Sequence, residues 1–498
     1  MKIVVAIIIS SILVAIIHKM RMRMRMRMKK RPGPGGVPVL GNLLQFIKSQ
    51  PLVYLQELHD KYGGVAYLRH GLTPVMVVSS ARLAKQVLKR HDNRPPVLGQ
   101  QKLSYNGADI AFSPYDSHWK EMRRLCAVHL FSPKQLLSFR PIREAQVGRM
   151  ISKLRSHAVN HEAANLSDMA MSLASNIICG VAFGKTYDDH EYEKKKLDKL
   201  VLEAQALMVS FYFSDQLKVF SWLDKLSGLL NRVDNNFKEL DSFYQNLIDD
   251  HLTRNNNSNK DIIDLMIELK REKPDEITWE HVKGLLMNLF VAGTDTVAAA
   301  VVWTMTGLML RPDVMRKTQE HVREAVGLKK EGAMIEEEEL TKLTYLKAVV
   351  MEGLRLYPPA PLLYRTEQQG VEEIEGWEVE KGTKIIINGW AVGRDPEVWK
   401  DPEEFVPQRF LNGNGNGNES DHREWEFKML PFGGGRRGCP GMGLGMLAIH
   451  LALANLLYSF DWVLPSSAPP IDTHALPGLT MHKKNPLLLI PIPYPSST

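Results

Sequence analysis

Pro431-Phe-Gly-Gly-Gly-Arg-Arg-Gly-Cys-Pro-Gly441 is the stretch that decides how the rest of the chain is read. Its five glycines and two prolines favour a tight turn with exposed backbone amides around Cys439. Backbone N–H groups and nearby cations stabilise a thiolate over a thiol, and Arg436 and Arg437 stand within three residues of the sulfur. A thiolate is the form that a strongly donating iron ligand must take. The spacing predicts a helix over residues 444–457, which would put the sulfur near a helix amino terminus, where negative charge is favoured. Two other readings fit the same residues. Gly433, Gly435 and Gly438 match a GxGxxG dinucleotide fingerprint. Such a loop should open a helix directly and be followed by an acidic residue on a second strand, whereas Asp461 falls at the end of the helix. The remaining reading is a packing cysteine in a glycine-rich turn.

The bulk composition is that of a globular protein. The chain has 498 residues, 44% hydrophobic and 24% charged, enough for a large core in one large domain or several. Its formal charge of +7 is local: eight basic residues lie between Lys19 and Arg31, and without them the balance is −1. The basic pI therefore marks no nucleic-acid-binding surface. Cys126, Cys179 and Cys439 are the only cysteines and include no CxxC pair, which argues against a disulfide framework and for a reducing compartment.

The amino terminus reads as an address. Ile3 to Ile17 is aliphatic apart from Ala and Ser, about 22 Å as a helix, a little short of a bilayer core of roughly 30 Å. A basic block follows where a signal-peptide cleavage site would stand, so residues 1–18 are expected to be an uncleaved membrane anchor, with the body cytosolic. Met20 to Met28 alternates Met and Arg, a stop-transfer linker or an engineered replacement of a natural anchor. Arg31 to Pro38 is rich in Pro and Gly and is expected to be a hinge, so residues 19–49 form a linker and residues 50–498 the catalytic domain.

Helical spacing dominates the body, as in Pro51 to Tyr62 and Ala81 to His91. Val65 to Leu68 and Val75 to Val78 read as strands joined by a turn at Gly71 to Pro74, and Glu378 to Val379 and Lys384 to Asn388 as two more. Thr278 starts a helix that is largely apolar from Val282 to Leu310. Asn255 to Asn259 and Asn412 to Asn418 read as surface loops. The fold class expected is mainly α with small β-sheets. Within it, Glu352 and Arg355 share a helix face at i,i+3, and Arg409 offers a second guanidinium to the same carboxylate. Trp119 and Arg123 stack at i,i+4. Asp295 and Thr296 interrupt the apolar helix, and a mid-helix Thr back-bonds to its i−4 carbonyl, here that of Ala292.

Phe432-x-x-Gly435-x-Arg437-x-Cys439-x-Gly441 resembles the haem-binding signature of the cytochrome P450 superfamily, and other motifs follow in the family's order. Glu352-x-x-Arg355 and Phe405-x-Pro407-x-Arg409-Phe410 resemble its Glu-Arg-Arg triad. Ala292-Gly-Thr-Asp-Thr296 resembles its oxygen-groove motif, and Trp119-x-x-x-Arg123 its C-helix motif. The resemblance covers Pro32 to about Tyr494, and Trp390-Ala-x-x-Arg-Asp395 and Pro477-Gly-Leu479 resemble microsomal plant A-type enzymes of the 71 clan. Three places depart from it: Tyr364-Arg365-Thr366 stands where Pro-Arg or Pro-His is usual, and Val297 and Val302 each replace a frequent polar residue.

The resemblance implies a P450 fold around haem b (iron protoporphyrin IX). It implies a monooxygenase inserting one atom of O2 into a small apolar, plant-metabolite-like substrate. Cys439 would be the axial metal ligand and Phe432 its shield. Trp119, Arg123, Arg365 and Arg437 would reach the haem propionates, and Gly435 and Gly441 would shape the cofactor loop. Thr296 with Asp295 would deliver protons. Ile110, Phe112, Phe211, Phe213, Val291, Ala292, Leu362, Leu363 and Leu479 match the family's variable substrate-contact segments. Electrons would come from an NADPH-cytochrome P450 reductase docking on Lys120, Arg123, Arg124 and Arg436, with the chain anchored in the endoplasmic reticulum membrane and no nucleic-acid partner. A haem-thiolate isomerase or dehydratase, which tends to lack the acid–Thr pair, and a non-catalytic haem sensor are the alternatives.

Overall fold

The computed structural model describes residues 31–37, 40–48, 51–185, 191–215, 221–254, 260–330, 332–368, 370, 372–374, 376–411, 425–476 and 478–494. The expected anchor, the Met/Arg run and the two Asn-rich loops lie outside these residues. The elements that carry the site are α1 (Leu43–Lys48), α2 (Pro51–Tyr62), β1 (Val65–His70), β2 (Thr73–Val78), α3 (Ala81–Arg90), α4 (Ser117–Leu125), α5 (Leu166–Phe183), α6 (Glu191–Val209), α7 (Trp279–Leu310), α8 (Thr344–Leu356), β3 (Leu362–Thr366), β4 (Lys384–Asn388) and α9 (Met442–Ser459). Further helices complete the body, so the mainly α architecture expected from the sequence is the one observed.

Helix α7 is the axis. Thr278 caps it, its hydroxyl accepting the His281 N–H while His281 Nδ1 accepts the Thr278 N–H, and Pro312 follows its end at Leu310. Its 32 residues span about 48 Å. Gly293 lets α5 come close: a Cβ there would lie 2.4 Å from Ile178 Cδ1. Helices α5, α7 and α9 are each long and apolar enough to cross a membrane, yet most of each is buried inside the protein. Their apolarity belongs to the core.

The largest sheet runs β1-β2-β4-β3, with β2 and β4 parallel and the other pairs antiparallel. Gly71 turns the β1–β2 hairpin at φ +63°. Strand side chains alternate between faces. Met76, Val78, Ile385 and Ile387 pack into one small core, while Val75, Val77 and Ile386 pack into another. Strand β3 was not expected, because Leu362 to Thr366 was read only for its site residues. The stretch read as a hinge is docked on this sheet. Tyr67 N–H donates to the Pro32 carbonyl (2.7 Å), Arg31 lies 4.9 Å over the Tyr67 ring, and α1 occupies part of the expected linker.

Candidate active site

The Cys439 loop is closed by its own backbone. The Cys439 N–H donates to the Phe432 carbonyl (2.8 Å) and the Gly438 N–H to that of Gly435 (3.0 Å). Gly435 takes φ +68°, and a Cβ there would stand 2.4 Å from the Leu88 carbonyl oxygen. Only glycine fits that contact with α3. Gly435 therefore shapes the loop by packing it against α3, while Gly441 lines the cavity. Helix α9 begins at Met442, three residues after the sulfur.

Cys439 looks into a cavity of about 360 Å³. Its surface is open to that space but enclosed by protein beyond it. Burial pushes the thiol up, against the Gly441 backbone N–H and the Arg123 guanidinium, which pull it down. Arg436 and Arg437 were expected in this electrostatic role. Arg436 instead pairs with Asp92, and Arg437 donates to the backbone carbonyls of Asp92 and Ser113. A thiolate here needs a positive charge set against the sulfur, which is what a metal ion supplies.

Across the cavity lies α7. Ala292, Gly293 and Thr296 are open in the mostly buried middle of this helix and line the cavity, so they face the space. The Thr296 hydroxyl donates to the Ala292 carbonyl at 2.6 Å. Asp295 does not join it on the wall. Neighbours on a helix point about 100° apart, and the buried Asp295 carboxylate meets His482 Nε2 at 3.1 Å. Ile110, Phe112, Val291, Ala292, Leu362, Leu363 and Leu479 all line the cavity. Phe211 and Phe213 do not. They follow the end of α6, stack edge-to-face on each other at 5.1 Å, and the Phe213 N–H is held by Asp224 (2.8 Å).

One side of the cavity is cationic. Arg94, Arg123, Arg365 and Arg437 all reach its wall. Arg94 Nε, Arg365 Nε and Arg437 Nη1 are buried with no acceptor among the described residues. Burial, then repulsion from Arg94 and Arg437, pushes Arg365 down to about 9; burial and Arg94 push Arg437 down to about 10. Unmatched donors on crowded guanidiniums call for an anion with several acceptors. The two carboxylates of haem b fit that need, as the open sulfur fits its iron. Trp119 takes a different part from the one expected. Its indole N–H donates to the Ile110 carbonyl (2.9 Å), and its ring lies 4.8 Å below the Arg437 guanidinium. The tryptophan thus supports an arginine and offers no free donor.

Outside the cavity, Glu352 accepts from Arg355 Nε and Nη2 (both 2.7 Å), Arg409 Nε (3.1 Å) and the Val406 N–H (2.7 Å). Arg355 also donates to the carbonyls of Gly393, Pro402 and Glu404, tying α8 to residues 393–410.

A family model described as Cytochrome P450 matches residues 31–490. This chain belongs to the cytochrome P450 family. The P450 is similar to a 6,7,8-trihydroxycoumarin synthase of Pastinaca sativa, 40% identical over 98% of this chain and 97% of the relative. A 5-OH-xanthotoxin synthase of the same plant is 40% identical over 99% and 98%. Cytochrome P450 71B35 of Arabidopsis thaliana is 39% identical over 92% of each chain. A zebrafish cytochrome P450 solved with abiraterone shares the fold, with a TM-score of 0.73 at 24% identity over 89% of this chain and all of that one. The family is that of haem b monooxygenases, so the P450 is a haem-dependent oxidoreductase.

Arg94 and Asn288 are wall residues that sequence reading missed. Asn288 had a signal: it is an amide inside the apolar run of α7. Its Oδ1 accepts from the Ile110 and Ala111 N–H groups (3.1 and 3.2 Å), and its Nδ2 donates to Asp109 (2.8 Å). Arg94 gave none, since only the fold brings it beside Arg365 and Arg437.

Proposed function

We propose that this P450 hydroxylates a small, flat, largely apolar aromatic substrate of the coumarin kind, held between Thr296 and Cys439. The observation that carries the reading is one cavity with three features: an open cysteine sulfur, a row of arginine donors lacking acceptors, and otherwise mainly apolar walls. The similarity to a 6,7,8-trihydroxycoumarin synthase and a 5-OH-xanthotoxin synthase supports the substrate class.

When bound, the haem supplies dioxygen activation, and thiolate donation favours cleavage of the O–O bond. The chain's own residues do the rest. Cys439 Sγ would hold the haem iron, and the Gly441 N–H hydrogen-bonds the sulfur. Phe432, on the cavity wall, shields the sulfur from water. Arg94, Arg365 and Arg437 hold the propionates, with Arg123 a fourth cation. Thr296 holds a hydroxyl proton at the wall, and Asp295 supplies protons from behind it. Leu362, Leu363 and Leu479 orient the apolar substrate opposite Ala292 and Val291.

Electrons come from NADPH through a membrane-bound reductase. Arg123 points into the cavity and is no docking residue. Arg124 pairs with Glu121 and Arg436 with Asp92, which leaves Lys120, exposed over Tyr115 at 5.0 Å, as the surface cation of that group without a carboxylate partner among the described residues. Charge reversal at Lys120 and Arg124 should slow reduction most at low salt. Residues 1–18 anchor the P450 in the endoplasmic reticulum with the body cytosolic. In that orientation Asn165, whose side chain caps α5, carries no glycan, and a glycan there would overturn it.

The deciding experiment is the reduced, carbon-monoxide-bound spectrum of wild type and Cys439→Ser, followed by turnover with reductase on a coumarin panel. A thiolate spectrum lost in the variant, with hydroxylated coumarin formed by wild type, is expected. A spectrum indifferent to the substitution sinks the ligand assignment.

A further inference from the structure

We propose that His482 is the outer member of the proton path into the cavity, passing protons from solvent to Asp295. The inference rests on the monooxygenase reading of the cavity and adds a residue to it. Asp295 is 4% exposed at its side chain and does not line the cavity, so it has no direct access to bulk water. Its Oδ2 lies 3.1 Å from His482 Nε2, and the His482 side chain is 29% exposed. One imidazole thus spans the distance from surface to buried acid.

The placement is built by the hairpin that carries His482. Ala475–Leu476 pairs with His482–Lys483. The preceding Met481 carbonyl accepts from Trp303 Nε1 on α7 at 2.7 Å. Lys483 fixes the other side, 3.2 Å from Asp472. The hairpin is therefore fastened to α7 at Trp303 and Asp295, two turns apart. A histidine held this firmly against one carboxylate oxygen is suited to proton transfer, since its two ring nitrogens can take up and release a proton on opposite sides.

The step balances simply. Water at the exposed edge of the ring first gives a proton to Nδ1, which makes the ring a cation. The His482 Nε2–H bond then breaks as an Asp295 Oδ2–H bond forms, which leaves a neutral ring protonated at Nδ1. Exchange with solvent water removes the Nδ1 proton and returns one to Nε2, which resets the ring. The Asp295 side chain turns toward the neighbouring Thr296 and gives the proton up at the cavity wall. No oxidant or reductant takes part.

His482→Gln keeps an N–H donor for Asp295 but cannot shuttle a proton; His482→Leu removes both. In reconstituted holoenzyme both variants should keep the thiolate carbon-monoxide spectrum and bind substrate within about twofold of wild type. Both should lose on the order of tenfold in product per NADPH, with peroxide rising in step. This loss is smaller than the usual general-acid contribution because stray water partly replaces the ring. Independently of turnover, the histidine Nε2–H resonance that disappears in His482→Gln should shift in Asp295→Asn. Wild-type coupling in His482→Gln would reduce the residue to a prop and overturn the relay, as would a resonance unmoved by Asp295→Asn. Loss of the thiolate spectrum in wild type would instead be a failure of the cavity's assignment.

Discussion

Glu352 and Arg355, one turn apart on α8, form a two-point ion pair at 2.7 Å with neither side chain exposed to solvent. Because Arg355 also satisfies three carbonyls beyond the helix, removing the carboxylate strands a buried cation at a crossing of several segments. Glu352→Gln is expected to cost about 3–5 kcal/mol. Urea unfolding would measure it, and haem content should fall with stability. A loss under 1 kcal/mol would contradict the geometry.

Arg365 should have opposite effects with and without cofactor. Its guanidinium is crowded by Arg94 and Arg437 and held down to about 9 by burial. In Arg365→Met the haem-free protein should melt several degrees higher, since an unmatched buried cation is gone, while haem occupancy drops. Calorimetry on both forms reads the two signs; the same sign in both would refute the anion-binding role.

Trp119→Phe tests whether the indole serves the protein or the cofactor. With its N–H on the Ile110 carbonyl, the substitution leaves a buried acceptor unmet and should cost about 1–3 kcal/mol. Haem content should hold. Preferential haem loss at unchanged stability would mean that the indole serves the propionates after all.

His70 makes the fold acid-sensitive. The ring is buried beside Phe46 at 4.8 Å. Burial, assisted by Lys384, holds its pKa down from 6.5 to about 4. Between those values the unfolded chain binds a proton that the folded chain does not. Its contribution is full above pH 6.5 and is lost as pH falls toward 4, by up to about 3 kcal/mol. His70→Leu should flatten the fall of melting temperature over that window; parallel curves for the two proteins would refute it.

Local chemistry was legible in the sequence where it depends on neighbours in the chain. Thr278 announced α7, the i,i+3 spacing of Glu352 and Arg355 announced their pair, and Thr296 its bond to Ala292. What failed to show depends on distant segments. Gly435 was readable as part of the cysteine loop, but the Leu88 carbonyl that requires a glycine there was not. Trp119 stood at the right spacing from Arg123, yet the Ile110 carbonyl captured its donor. Phe211 and Phe213 have the aromatic character of wall residues, but the end of α6 and the Asp224 carboxylate turn them elsewhere. Arg94 and His482 became visible only when residues hundreds of positions apart met.

The hairpin around residue 480 has two adjoining pairs with separate duties. Leu479 and Thr480 face whatever guest the chamber holds, while Met481 and His482 grip the long central helix. Substitutions in the first pair can retune selectivity without loosening the frame. Substitutions in the second should degrade every guest's oxidation alike. Lineages diversifying their chemistry would thus be free to vary at 479 and 480 and constrained one residue later.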